Sequence, residues 1–120
     1  MHEVSLANDL IELLKRELDK QRQLGVEIEK IKSVQVSIGE ISCASPDNFR
    51  FAFEAVKTGT QFAETELEIK HEALVINCLE CGFEGEAKDS LPLCPNCSSG
   101  STEILSGSDF LLKSIEIEER

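Results

Sequence analysis

Two cysteine pairs constrain this chain more than anything else in it. Cys78-Leu79-Glu80-Cys81 is followed, after twelve residues, by Cys94-Pro95-Asn96-Cys97. A two-residue gap lets each pair form a tight knuckle with both sulfurs on one side, where adjacent amide N–H groups reach the thiolates. Gly82, directly after the first pair, suits the positive φ that such a turn often requires. Two knuckles on two hairpins complete a tetrahedral four-sulfur site, for which zinc at about 2.3 Å per bond is the preferred ion. Four sulfurs leave no open position for water, so hydrolytic zinc chemistry is not expected. Redox activity of one CxxC is disfavoured by the second pair and by the lack of a thioredoxin-like βαβ context. An iron–sulfur cluster fits the same spacing.

The rest of the chain reads as ordinary helices and strands. Val4, Ala7, Leu10, Ile11, Leu14 and Leu18 recur at three- and four-residue steps and predict a helix over 3–20. Residues 31–41 alternate, with Val34, Val36 and Ile38 opposite Ser33, Gln35 and Ser37, as in a half-buried strand closed by Gly39-Glu40. Ser45-Pro46-Asp47 is a helix start, and Phe49, Ala52, Phe53 and Val56 continue it to Gly59. Leu67, Ile69, Ala73 and Val75 predict one long strand over 65–77 running straight into Cys78. Short strands follow at 102–105 and 110–118.

The last strand decides the architecture. A ribbon of about 30 residues cannot bury a further apolar face of its own, so the chain is expected to return and pair with the earlier strands. That gives an α+β fold: two helices on a three-stranded sheet, with an inserted zinc-ribbon lobe. The expected division is an α+β domain of residues 1–75 completed by strand 108–120, and a zinc-binding ribbon of residues 76–107.

Charge narrows the partners. Residues 1–60 carry 8 basic and 10 acidic side chains, whereas residues 61–120 carry 4 and 13. A nucleic-acid binder needs cations to displace phosphate counterions, so the acidic, cysteine-rich half argues against nucleic acid. No stretch approaches the roughly 18 apolar residues of a membrane helix, and MHEVSLANDL lacks the pattern of a secretory signal. A cytoplasmic protein is expected, in which cysteines serve as metal ligands or buried thiols. Cys43 reads as an inert thiol and His71 as an ordinary strand histidine. No nucleophile–base pair or phosphate loop stands out, and an enzyme is not expected.

The N-terminus offers a second metal chemistry. The amine of Met1, the amide nitrogen between residues 1 and 2, and the His2 imidazole form fused chelate rings around one ion, with Glu3 donors completing the set. Planar nitrogen donors suit Ni(II) or Cu(II). A histidine near a chain end is ordinarily just solvated, and that reading stands beside the chelate.

Met1-His2-Glu3, Gly39-Glu40, Phe49 through Phe53, the paired CxxC and Lys113-Ser114-Ile115-Glu116 together resemble the HypA/HybF family, over essentially the whole chain. These are nickel-insertion accessory proteins of [NiFe] hydrogenase maturation. The resemblance implies a nickel metallochaperone in which His2 is the principal nickel ligand, helped by Met1 backbone or amine nitrogen and by Glu3. Cys78, Cys81, Cys94 and Cys97 would hold structural Zn(II). The partners implied are the GTPase HypB, a nickel donor, the hydrogenase large-subunit precursor and, in some relatives, urease maturation proteins. The competing reading is a zinc-ribbon adaptor with no nickel role.

Overall fold

The computed structural model describes residues 2–42 and 44–119, with His2 represented by its backbone alone; Met1 and Cys43 lie outside the described residues. The elements run α1 (His2–Gln23), β1 (Ile28–Gly39), α2 (Pro46–Lys57), β2 (Glu66–Glu72), β3 (Val75–Cys78), β4 (Glu84–Glu86), β5 (Thr102–Ser106) and β6 (Phe110–Glu119). Three strands pair in the order β2-β1-β6 and three in the order β4-β3-β5. The α+β fold expected from the sequence is present, and the final strand does return beside β1. Among the described residues no helix is long and apolar enough to cross a membrane.

The chain gathers into two compact units, one from Met1–Val36, Ala44–Ile69 and Leu112–Arg120, the other from Ser37–Cys43 and Lys70–Leu111. In the first, α1 and α2 pack against each other. The stripe Ala7, Leu10, Ile11, Leu14 and Leu18 is buried, as are Phe49, Ala52 and Phe53 of α2. The Phe49 and Phe53 rings stack at 6.4 Å. α2 begins as its sequence dictates: Ser45 Oγ accepts from the Asn48 N–H, and Pro46 takes the first helical turn, where a missing N–H is harmless.

Three local readings change in the structure. α1 starts at His2 rather than Glu3, and runs past Lys20 to Gln23 before Gly25 turns the chain at φ +91°. The N–H groups of His2 and Glu3 therefore belong to a first turn, where helical amides have no intrahelical acceptor. From Ser33 onward β1 is buried at every position except half-buried Gln35, so both of its faces are largely covered rather than one alone. Ser33 satisfies its hydroxyl by donating to Glu116 Oε2 at 3.1 Å.

The long strand expected over 65–77 is two strands in two sheets. Leu67 sets the buried face of β2 on odd positions, but Leu74, Ile76 and Cys78 are the buried residues further on. The phase slips at Ala73-Leu74, and Val75 turns away from the core that its alternation predicts. β4 had no signal of its own; Glu84-Gly85-Glu86 forms because it lies opposite β3, with Ile76 facing Gly85.

Backbones approach closely beside that slip, within the second unit. A Cβ on Gly39 would sit 2.3 Å from the carbonyl of Gly107, and one on Gly107 would sit 2.6 Å from Ala73 O and Leu74 Cα. Gly107 also has φ +97°. Beside this contact Gly39 N–H donates to Asp109 O and Ile41 N–H to Gly107 O, both at 2.8 Å. The Glu40 carboxylate accepts from the Ser90 hydroxyl and the Leu74 N–H, which hold its carboxyl below its ordinary value of 4.5.

Gly39→Ala is expected to lower unfolding free energy by about 3 kcal/mol, as overpacking against backbone that has nowhere to move, measured by urea denaturation. Glu40 adds stability only while ionised. Its contribution is present above the unfolded value near 4.5 and lost as the pH falls through the lower folded value. The stability gap between wild type and Glu40→Gln should therefore close on acidification.

Candidate metal centre

The four cysteines arrive from two knuckles built on one hydrogen-bond plan. In the first, Cys78 N–H donates to Phe83 O at 2.7 Å and Gly82 N–H returns to Cys78 O at 3.1 Å. In the second, Cys94 N–H donates to Ser99 O at 3.0 Å and Ser98 N–H returns to Cys94 O at 2.8 Å. Each closes on a left-handed residue directly after the second cysteine, Gly82 at φ +80° and Ser98 at φ +65°. The backbone N–H of Cys81 donates to Cys78 Sγ, and that of Cys97 to Cys94 Sγ, both at 3.4 Å. Cys78 is the last residue of β3, opposite Thr102 of β5. That pairing ties the second knuckle to the first, since β5 follows Cys97 by a short turn.

The sulfurs converge. Cys78 Sγ lies 3.6 Å from Cys97 Sγ, and Cys81 Sγ lies 3.5 Å from Cys94 Sγ. All four ligand atoms fall within 4.8 Å of one another. A tetrahedron with bonds of about 2.3 Å has sulfur–sulfur edges of about 3.8 Å, so the cage has the size zinc requires. Cys78 and Cys94 are buried and Cys81 and Cys97 exposed, which leaves one ligand of each knuckle facing solvent.

The proton distribution among these sulfurs is uneven. Asn96 donates its side-chain amide to Cys81 Sγ at 3.5 Å, and this bond, with a backbone bond from Phe83, draws the Cys81 thiol down to about 6. The Ser99 backbone favours the Cys97 thiolate, but desolvation and the neighbouring thiols outweigh it and push Cys97 up to about 12. Four like charges so close cannot coexist without a cation, so zinc binding must expel protons.

Of the other candidate residues, Glu3 and His71 are described and neither is among the four ligands of the cage. Glu3 lies in the first turn of α1, half-buried, and its Oε1 accepts from Asn48 Nδ2 at 3.4 Å. His71 is exposed on β2. Met1, the His2 side chain and Cys43 lie outside the described residues. Sequence reasoning missed Asn96, whose backbone N–H also donates to Cys94 Sγ at 3.4 Å. Its place inside the second CxxC was the only available signal. It missed Asn48 as well, since nothing local marks a residue three positions past a cap as a partner of the N-terminus.

A family model described as hydrogenase/urease nickel incorporation, metallochaperone, hypA, matches residues 1–117. The hydrogenase maturation factor HypA of Aquifex aeolicus is 38% identical over 118 residues, covering 98% of each chain. That of Moorella thermoacetica is 35% identical over 118 residues, 98% of this chain and 100% of its own. The solution structure of the Ni metallochaperone HypA from Helicobacter pylori superposes with a TM-score of 0.66 at 26% identity, covering 98% of each chain.

Asn96→Ala removes the side-chain amide donor to Cys81 Sγ and leaves the backbone N–H on Cys94 Sγ in place. It should weaken zinc retention roughly tenfold against a competing chelator, with the four ligands intact. Cys94→Ala should instead abolish zinc binding and expose the amides of β3–β5 to hydrogen exchange, while those of α1 stay protected.

Proposed function

The chain belongs to the HypA family of hydrogenase/urease nickel-incorporation metallochaperones, and we propose on that premise that it binds Ni(II) at its N-terminus and delivers it during maturation of a [NiFe] hydrogenase. Cys78, Cys81, Cys94 and Cys97 hold a structural Zn(II) that stays with the protein. His2 is the principal nickel ligand, with nitrogen donors from Met1 and an adjacent contribution from Glu3. In functional terms residues 1–75 with 108–120 carry the nickel site, and residues 76–107 form the zinc ribbon. The protein acts as a carrier, not a catalyst.

The observation that supports this reading best is the start of α1 at His2. First-turn amides have no helical acceptor, so a metal can replace their protons without breaking a backbone hydrogen bond. Amide deprotonation also makes the site pH-dependent: nickel is held better as the pH rises. A site of this kind at a chain end exchanges its ion faster than a closed sulfur cage, as delivery demands.

The partners follow from the family: the GTPase HypB, the large-subunit precursor of the hydrogenase and, where urease is made, its maturation proteins. We place this work in the cytoplasm, where reduced thiols persist as metal ligands. A nucleic-acid partner does not fit the acidic second half. One observation favours an adaptor instead: Leu79, Leu91 and Leu93 of the ribbon are exposed, as a docking module requires.

Metal titration of untagged protein separates the two readings. His2→Ala should lose nickel binding while keeping one zinc and an unchanged fold, and an N-terminal extension should have the same effect. Unaltered nickel affinity in either variant would leave the adaptor as the better description.

A further inference from the structure

We propose that Asn48 is a positioning residue for nickel: its side-chain amide holds the Glu3 carboxylate in place beside the first turn of α1. The proposal rests on the terminal-site reading above and extends it to a residue from a different helix.

The contact is Asn48 Nδ2 to Glu3 Oε1 at 3.4 Å, bridging residues 45 positions apart in the chain. Both ends are anchored. Asn48 sits in the first turn of α2, where its N–H bonds the Ser45 cap, and the next residue, Phe49, is fully buried and stacked on Phe53. Glu3 stands one turn before Ala7, which is also fully buried. The two helix starts are therefore fixed relative to each other by packing, and the amide bridges them at the surface.

The chemistry of the donor matters. A lysine or arginine in place of Asn48 would neutralise the carboxylate and repel a dication. An amide donates without charge, so the carboxylate keeps its full negative charge for the ion. Only Oε1 is engaged among the described residues, which leaves Oε2 open to a metal. Glutamate has more rotamer freedom to lose on binding than most side chains. Fixing its orientation beforehand raises affinity by removing that loss.

The test is nickel titration calorimetry on untagged wild type, Asn48→Ala, Glu3→Ala and the double variant, with zinc content and thermal midpoint measured in each. Asn48→Ala should weaken nickel binding about threefold to tenfold, the size of one lost hydrogen bond, with zinc and midpoint unchanged. In the Glu3→Ala background the same substitution should have no further effect, because Asn48 acts through that carboxylate. Binding by Asn48→Ala within twofold of wild type would overturn the proposal. So would full additivity in the double variant, or wild-type affinity in Glu3→Ala. A His2→Ala control keeps the two ideas apart. If it retains nickel, the terminal site itself is wrong; if it loses nickel while Asn48→Ala does not, only the role of Asn48 falls.

Discussion

Four cysteine sulfurs lie within 4.8 Å of one another, and they can all be thiolates together only if a cation sits between them. Much of the second unit follows from that constraint. Its hydrophobic cluster contains Leu74, Ile76, Cys78 and Cys94, with Ile41, Phe83 and Ala87 packed against it. Two of the four buried members are themselves ligands. In this unit the metal site and the core are one object, so an ion that closes the cage also completes the packing. A segment with so few buried side chains cannot offset the entropy of ordering its backbone by apolar burial alone. The first unit stands differently, because both helices bury apolar faces with no ligand among them.

The knuckles show how little sequence is needed once a cation organises the chain. Three backbone bonds recur at matching positions in both, yet beyond the cysteines the two share almost nothing. Glu80 stands where the other has Asn96, and Gly82 where it has Ser98. The left-handed turn is essential to both, but only one uses the residue that adopts it freely. The geometry therefore arises from the sulfur-to-amide bonds and the metal they serve, with residue preference a secondary influence.

This explains what could be read from the chain. The cysteine spacing, the α1 stripe and the Ser45-Pro46 cap are local signals, and each survived intact in the structure. The failures share a cause: they depend on which surface a segment meets. Nothing in Ala73-Leu74 announces a phase slip, and the backbone packed against it there is that of Gly107, over thirty residues away. β1 reads as half-exposed because its alternation does not show what covers its second face. β4 is too short and too acidic to resemble a strand before β3 presents its edge. The cage itself was legible, whereas Asn96, which tunes it, was not, since an amide beside a cysteine has no distinctive pattern.

The two proposed metal sites differ in how their donors are organised, and that difference suits retention and release. The sulfur cage is closed by long-range pairing: Cys78 and Thr102 face each other across a sheet, so opening the cage means disrupting β3 and β5. The proposed terminal site draws, among the described residues, on the first turn of a helix and a side-chain bridge from the next helix. If both sites are filled as proposed, an ion leaving the cage would wait for the small unit to open, whereas an ion leaving the terminus would need only a few local bonds to break. A partner that competes for Glu3, or pulls the chain end away from Asn48, would therefore release one metal without disturbing the other. On that proposal, selective delivery would need only a grip on the first few residues.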